Sequence, residues 1–420
     1  MTAGPSPSQP PDADPPTLRR AISLPLLVLY GLGVTIGAGI YVLVGATAAS
    51  AGIYAPSAFL LAAFVMLFSA CSFAELSGRF PKSAGEAVYV EAGFRWPALT
   101  VITGGLLLTA TIISSSAIAV GSAGYIAFLV PLPLWSVVLL VILLTFALAA
   151  WGILESVAFA ALLTLLEILG LVVVVIAGIW LRPEILLNLT DVLPSPTDGV
   201  AVAGVFLASL TAFFAFIGFD GMVNIVEETE NPSRNMPLGI LLTLLIATLL
   251  YFGVAAVAVQ VLPLDELAAS TAPISLLFER LTGLSPLTIT IIASGATLNG
   301  VVIQTILASR VLYGMADVGR LPKGLAKLNP HTRTPVRATI LVSAITLIFA
   351  LFFPIGVLAE RTTQVVLVVF VLINLALIRI KWRNDPAPEG IFIVPMIVPI
   401  IGFLTCLGML TGPLALGFIF

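Results

Sequence analysis

The chain has 420 residues, of which 60% are hydrophobic and only 9% are charged, and its formal net charge is −3. Soluble globular proteins carry about 25% charged residues, so this composition excludes a soluble enzyme and indicates a membrane protein. The apolar stretches are long rather than alternating ten-residue segments, which predicts transmembrane helices. With 1 histidine and 2 cysteines, the sequence predicts no metal site and no cofactor.

Eleven stretches are long and apolar enough to cross a bilayer, whose hydrocarbon core of about 30 Å takes about 20 helical residues. They lie at about 24–50, 55–77, 97–125, 132–151, 156–181, 201–227, 237–263, 286–315, 337–354, 363–380 and 390–408. A last short stretch, 411–420, is predicted to be a truncated twelfth helix. Residues 1–20 begin with a segment rich in proline, serine and aspartate, which predicts a disordered cytoplasmic tail.

Lysine and arginine are distributed unevenly between the two sets of loops. If the N-terminus is cytoplasmic, most of the 18 basic residues fall in cytoplasmic segments, including six from Arg310 to Arg337. Positive charge marks the cytoplasmic side of membrane proteins. The sequence therefore predicts a multi-pass protein of the cell inner membrane with a cytoplasmic N-terminus. The loop from Asp265 to Gly283, on the opposite side, is predicted to contain a short amphipathic helix.

The first apolar stretch carries a glycine-rich interruption near its centre. Gly37, Ala38 and Gly39 follow Gly33 by a few residues. Glycine weakens a helix, and an unpaired backbone group in lipid costs several kcal/mol, so a break at this depth survives where it lines a cavity or meets a ligand. The alternative is that these glycines only let another helix approach closely.

The sixth apolar stretch has a second interruption, with Gly218 and Gly221 on either side of Asp220. Two interrupted helices at matching places in two five-helix halves are typical of inverted-repeat transporters. The freed amides of such a break can bind a carboxylate, and its freed carbonyls can bind a cation. Together the two interruptions predict a solute site between the first and sixth helices.

Four segments, in the same order along the chain, resemble signatures of the amino acid–polyamine–organocation (APC) superfamily. They are Thr35–Tyr41, Phe73–Ala87, Phe216–Asp220 with Glu227–Pro232, and Ala308–Ala316 with Gly319–Pro322. The resemblance covers nearly the whole chain and includes the cationic amino acid transporter-like branch of amino acid permeases. It implies a leucine-transporter-type fold of two inverted five-helix repeats, here 21–199 and 200–383, followed at 384–420 by the eleventh helix and the short twelfth.

The resemblance also implies a substrate site built from backbone groups. It assigns the substrate carboxylate to the amides of Gly37, Ala38 and Gly39, and the α-ammonium group to the carbonyls of Ile36, Phe214, Ala215 and Ile217. Phe214 further matches the aromatic residue that closes over the substrate from the outside. Its alternative role is packing within a cluster of phenylalanines.

Two carboxylates are predicted to act in ion coupling. Glu167 lies in the middle of the fifth helix, where an ionisable residue is functional by default. It is predicted to carry a proton, or to hold a cation with polar groups of the eighth helix such as Thr297; a hydrogen bond across helices is the structural alternative. By resemblance to the arginine/agmatine exchanger branch, Asp220 is a gating and proton-sensing residue, with helix capping as its alternative.

Other polar residues of the membrane stretches are weaker candidates for the cavity wall. They are Ser114, Ser115, Ser116, Gln364 and Asn374.

The sequence thus predicts a secondary active amino acid permease that works by alternating access, with proton-coupled symport as its mode. An amino acid or amine exchanger without net proton movement is the alternative. A membrane enzyme lacks a nucleophile–base pair here, and a channel does not account for two breaks that favour an occluded solute. The expected partners are an amino acid, a proton and the bilayer, without nucleic acid, for a monomer or weak homodimer.

Overall fold

The computed structural model describes residues 22–36, 39–82, 85–151, 157–317, 319, 321–330, 332 and 334–416, and these residues form helices and connecting loops. The first eight helices are α1 (Leu24–Ile36), α2 (Gly39–Ala51), α3 (Ala55–Arg79), α4 (Gly85–Phe94), α5 (Pro97–Leu129), α6 (Leu134–Trp151), α7 (Val157–Leu181) and α8 (Glu184–Leu187). The remaining helices are α9 (Gly199–Phe214), α10 (Pro232–Val261), α11 (Leu264–Ala269), α12 (Pro273–Thr282), α13 (Leu287–Asp317), α14 (Val336–Phe352), α15 (Ile355–Trp382) and α16 (Ile397–Leu416). Short 3₁₀ segments lie at Gly52–Tyr54, Phe219–Glu228 and Lys323–Ala326.

Eight helical segments in the described residues are long and apolar enough to cross a membrane, and the first of them runs from Gly39 to Arg79 through α2 and α3. Three shorter apolar helices accompany them, at Leu24–Ile36, Val336–Phe352 and Ile397–Gly412. Helices are expected here because a chain in lipid must satisfy its backbone groups internally. The prediction of an all-helical polytopic membrane protein is confirmed. The count of eleven spans and the five-plus-five arrangement remain predictions.

The end of the chain differs from the prediction of a separate truncated twelfth helix. Residues 411–416 continue α16 without interruption, and residues 417–420 lie outside the described part. The expected break rested on the sequence Thr411-Gly412-Pro413. An apolar helix that stays continuous keeps its backbone hydrogen bonds in lipid, which outweighs the weak breaking tendency of a single glycine and proline.

The helices form a bundle in which glycines allow the closest contacts. At one end, α11 and the loop after it lie on α2 and α5. A Cβ added to Gly45 would stand 2.6 Å from the carbonyl oxygen of Leu267, and one added to Gly124 would stand 2.4 Å from that of Thr271. The helices of the predicted Asp265–Gly283 loop, α11 and α12, therefore cover the ends of α2 and α5. The helix α4 was not predicted.

Asn374 lies in a polar cluster between helices and not in the cavity wall. Its Nδ2 donates to Ser69 Oγ at 2.9 Å, and its Oδ1 accepts from Ser72 Oγ at 2.7 Å. Gln364 accepts a hydrogen bond from Arg361 at 2.8 Å and donates one to Glu360 at 3.1 Å. Both cavity predictions fail because these side chains find polar partners on α15 itself or on the neighbouring α3.

A buried ionic cluster joins α3 to α15 and to the segment before α16. The Glu75 side chain is 0% exposed and accepts from Arg79 Nε at 2.8 Å and from Lys381 Nζ at 2.7 Å. The backbone N–H of Val394 also donates to its second oxygen, at 2.8 Å. This carboxylate is the counter-charge of both cations, whose other acceptors are the backbone carbonyls of Asp385 and Val394. Its removal would leave two partly buried positive charges without a carboxylate partner.

We expect Glu75→Gln to lower the free energy of unfolding by about 3–5 kcal/mol, because breaking a buried ion pair strands its partner charge. The measurement is the melting temperature of the purified protein in detergent. The matched control is Glu184→Gln, since Glu184 pairs with Arg182 at 3.9 Å and both side chains are about half exposed (54% and 51%). Equal shifts in the two variants would contradict this role of Glu75.

Candidate functional site

The sixth apolar stretch is interrupted at the predicted place. The helix α9 ends at Phe214, residues 215–218 form turns, and a 3₁₀ segment runs from Phe219 to Glu228. Gly218 has φ +138°, a conformation that residues with a Cβ rarely adopt. Asp220 Oδ1 accepts a hydrogen bond from the Gly218 N–H at 2.8 Å, so this side chain stabilises the turn that precedes the 3₁₀ segment.

The described residues of the first apolar stretch form two helices, on either side of residues 37 and 38. The helix α1 ends at Ile36 and α2 begins at Gly39. Gly37 and Ala38, two of the three predicted carboxylate-binding amides, lie outside the described residues. Gly39, the third, is the first described residue of α2 and is buried.

The two interruptions touch each other at two points. A Cβ on Gly218 would stand 2.7 Å from the carbonyl oxygen of Val34, near the end of α1. A Cβ on Gly39 would stand 2.5 Å from the Cα of Ala215, just after α9. The backbone of each interrupted stretch therefore approaches the other at distances that only glycine permits.

A tyrosine of α10 joins the ends of both helices. The Tyr251 hydroxyl lies 3.0 Å from the carbonyl oxygen of Thr35 and 2.9 Å from that of Ala215, and the residue is 0% exposed. Its ring packs between Phe59 and Phe216, with centroid distances of 5.9 and 4.9 Å. The Tyr251 hydroxyl is therefore within hydrogen-bond distance of carbonyl oxygens at the C-terminal ends of both α1 and α9. Sequence reasoning missed this residue, which is an ordinary aromatic in an apolar helix.

A small cavity, partly open to solvent, borders the two interruptions. Its lining residues are Gly33, Val34, Thr35, Gly39, Ser114, Ile118, Phe214, Ile217, Gly300, Ile303 and Gln304. None of these side chains is ionisable. Of the predicted substrate residues in the described part, Gly39, Phe214 and Ile217 line the cavity, whereas Ile36 and Ala215 are buried beside it.

The polar groups of the cavity wall come from three helices. Gln304 Nε2 of α13 donates to Ser114 Oγ of α5 at 3.4 Å. The Thr35 hydroxyl of α1 is buried and has no hydrogen-bond partner among the described residues. Ser114 was among the candidates from sequence, but Gln304 was not. Gln304 could have been identified from the sequence, because a side-chain amide in the middle of an apolar helix is costly unless it has a partner or a ligand.

Glu167 lies on α7 beside the first interrupted stretch and is 2% exposed. The Tyr41 hydroxyl of α2 donates to the Glu167 carbonyl oxygen at 2.8 Å. One turn earlier, Thr164 Oγ1 would lie 2.1 Å from a Cβ on Gly33, so α7 packs directly on α1. Glu167 therefore lies close to the first helix, but its side chain does not line the cavity.

The other predicted coupling residues also stand outside the cavity wall. The Thr297 hydroxyl is fully buried and donates within α13 to the carbonyl oxygen of Ala293 at 2.8 Å. Asp220 is partly buried, in the 3₁₀ segment below the turn. The site that the structure brings together is therefore made of backbone and neutral side chains, with the carboxylates around it.

Comparison with known proteins gives consistent matches over the whole bundle. The sequence profile of a family described as amino acid permease matches residues 22–419. The branched-chain amino acid permease BcaP of Bacillus subtilis (strain 168) is 29% identical, covering 93% of this chain and 87% of that protein. The methylthioribose transporter of the same organism is 30% identical, covering 93% and 88%. Cationic amino acid transporter 2, vacuolar, of Arabidopsis thaliana is 30% identical, covering 89% of this chain and 62% of that longer protein.

Proposed function

Because the chain belongs to the amino acid permease family and is a transporter rather than an enzyme, we propose that it carries a neutral amino acid across the membrane by alternating access, together with a proton. The observation that carries this proposal is the cavity bordered by both interrupted stretches. A helix start offers backbone N–H groups and a helix end offers carbonyls, which together fit a zwitterion.

The substrate carboxylate would bind at the start of α2, on Gly39 and its neighbours Gly37 and Ala38. The ammonium group would bind at the C-terminal ends of α1 and α9, on the carbonyls of Ile36, Phe214, Ala215 and Ile217. Carbonyl oxygens have two lone pairs, so the contact of Ala215 with Tyr251 leaves one for a ligand. Phe214, which lines the cavity and is 5% exposed, would close over the substrate.

The neutral wall of the cavity favours a substrate with a neutral side chain. A cationic or anionic side chain would have to leave water without a counter-charge, which is strongly unfavourable. The apolar residues Ile118 and Ile303 favour an aliphatic side chain, and the Gln304–Ser114 pair would accommodate a small polar group at its edge. Of the relatives, the permease named for branched-chain amino acids agrees best with this wall.

The membrane arrangement belongs to the same proposal. The protein would lie in the cell inner membrane as a monomer or weak homodimer, with its N-terminus in the cytoplasm. Residues 21–199 and 200–383 would be the two inverted repeats, with Glu167, Asp220 and Thr297 around the site as coupling residues. Alternating access would move α1, α2, α3, α9 and α10 against the other helices.

The test is uptake into proteoliposomes by the purified protein. We expect saturable uptake of leucine, valine or alanine that an inward proton gradient stimulates, and little uptake of lysine or arginine. A thermal-shift screen against the same compounds should raise the melting temperature only for transported ones. Counterflow that persists while the proton gradient has no effect would identify an exchanger. Preferred transport of lysine or of methylthioribose would contradict the proposed substrate.

A further inference from the structure

The helix α4 contains a buried carboxylate that the amino acid site does not use. Glu86, in its first turn, is 5% exposed. The preceding residue, Gly85, packs on the 3₁₀ segment so closely that a Cβ there would stand 2.1 Å from Val223 Cγ2. The start of α4 is therefore in direct contact with the segment that follows the second interruption.

The geometry of that segment places a second carboxylate at the same contact. In a 3₁₀ helix, residues three apart lie on the same side, so Asp220 is on the side of Val223, the side that faces α4. Glu86 and Asp220 are near enough for the charge of Asp220 to act on Glu86. Two carboxylates in one desolvated site cannot both ionise without a large cost, and one of them keeps a proton.

A third group of the cluster is the Tyr89 hydroxyl, one turn after Glu86 on the same face of α4. Tyr89 is 0% exposed, and its hydroxyl has no hydrogen-bond partner among the described residues. Burial, and then the neighbouring Glu86, raise the pKa of Tyr89 well above its ordinary value, so it stays a neutral donor. A buried donor near Glu86 can stabilise negative charge on that carboxyl group.

Lys82, four residues before Glu86, is exposed, and the basic groups that contact α4 are at its far end. Arg383 donates to the carbonyls of Ala92 and Gly93, about 10 Å from Glu86 along the helix axis. Arg379 lies over the Phe94 ring, with its guanidinium carbon 5.0 Å from the centroid.

The other elements that pack on α4 bring no cation to Glu86. The helix α5 contains no acidic or basic residue. Lys381 of α15 and Arg79 of α3 are bound to Glu75. The 3₁₀ segment adds only further acids, Glu227 and Glu228, at its end. Tyr30 of α1 also lies near Asp220, but its hydroxyl is not basic. Within the described residues the carboxyl pair therefore has no basic partner, and a proton is the charge left to neutralise it.

We infer that Glu86 and Asp220 bind one proton between them at the α4 side of the site, and that separation of α4 from the 3₁₀ segment releases it to the water on that side. This rests on the proposed function, in which the 3₁₀ segment moves and α4 stays with α5 and α15. The proton leaves a carboxyl oxygen for water when the two groups part and become hydrated. Inward opening and proton release are then one event.

The raised pKa of Glu86 is consistent with a proton bound between the two carboxyl groups. Burial, and then the charge of Asp220, raise the pKa of Glu86 to about 8. A carboxyl with a raised pKa in the folded protein binds more protons than in the unfolded chain, so stability falls as the pH rises through that value. The pair is thus protonated at neutral pH while closed, and it loses its proton when exposed to water, where an ordinary carboxyl pKa is about 4.

The experiment compares Glu86→Gln with Glu91→Gln in proteoliposomes that contain a pH-sensitive dye. Glu91 lies on the same helix and is exposed, so it is the matched control. We expect Glu86→Gln to keep amino acid counterflow within about twofold of the control and to lose proton entry during net uptake. Asp220→Asn should give the same loss of proton entry. The melting temperature of the control should fall between pH 7 and pH 9 relative to Glu86→Gln, a readout that needs no transport.

The possible results distinguish failure of the Glu86–Asp220 proton site from failure of the proposed function. Proton entry and pH dependence in Glu86→Gln that equal those of Glu91→Gln would overturn the pair. Loss of proton entry in Glu167→Gln with full retention in Glu86→Gln would place coupling on α7 and also overturn it. If neither the wild type nor the control moves any amino acid, the proposed function fails, while the pH-dependent melting difference still tests the carboxyl pair.

Discussion

Replacing Gly218 by alanine is expected to abolish transport, with uptake below about 5% of wild type. Gly218 has φ +138°, which costs a residue with a Cβ about 1–3 kcal/mol. The added Cβ would also stand 2.7 Å from the carbonyl oxygen of Val34 and 3.0 Å from the N atom of Thr35. These are backbone atoms, so the clash pushes the two interrupted stretches apart where they border the cavity. Uptake of leucine into proteoliposomes measures the effect.

Gly221→Ala is the matched control for this variant. It lies three residues further along the same 3₁₀ segment, and its added Cβ would meet nothing nearer than Val34 Cγ1 at 3.9 Å. We expect it to keep at least half of wild-type uptake. The binding-induced rise in melting temperature should disappear in Gly218→Ala and persist in Gly221→Ala. Similar uptake by both variants would show that contact between the interruptions is not needed.

The helices were predictable because each is an uninterrupted apolar stretch that must satisfy its own hydrogen bonds in lipid. The second interruption was also predictable, because it contains residues that are unfavourable in a continuous apolar helix. Gly218 and Asp220 are poor choices for a continuous apolar helix, and the turn they form ends α9 at Phe214. The sequence also pointed to Phe214 and Ile217, which line the cavity.

The residues that sequence reasoning missed act through contacts between distant parts of the chain. Tyr251 and Gln304 each look like one more residue of a long helix, and their partners lie 36 to 216 residues away. The helix α4 was missed because its ten residues contain polar and charged side chains and so do not read as a span. Its function comes from packing against the 3₁₀ segment, which no local pattern encodes.

Tyr251→Phe is expected to lower uptake about ten- to a hundredfold. The substitution keeps the ring between Phe59 and Phe216 but removes the hydroxyl that reaches the carbonyls of both Thr35 and Ala215. Buried polar groups left without a partner cost about 1–3 kcal/mol, which corresponds to about a 5- to 150-fold change in an equilibrium. Initial rates of leucine uptake in proteoliposomes measure the effect.

Tyr54→Phe is the control, because the Tyr54 hydroxyl makes no hydrogen bond within the described residues. It should leave uptake within about twofold of wild type. If Tyr251 only fills space, the two variants will behave alike, since phenylalanine occupies nearly the same volume. A loss confined to Tyr251→Phe would mean that the hydroxyl matters.

We expect a large effect of Tyr251→Phe because one hydroxyl links three helices that move in the proposed mechanism. The Thr35 carbonyl lies in the last turn of α1, the Ala215 carbonyl directly follows α9, and the hydroxyl belongs to α10. While this contact holds, neither helix end can leave the cavity without the other, so α1, α9 and α10 move together. Without the hydroxyl, the two carbonyls are free to bind the substrate ammonium group in positions that differ from the proposed site. Binding should then weaken together with the rate, and both KM and kcat should change in Tyr251→Phe.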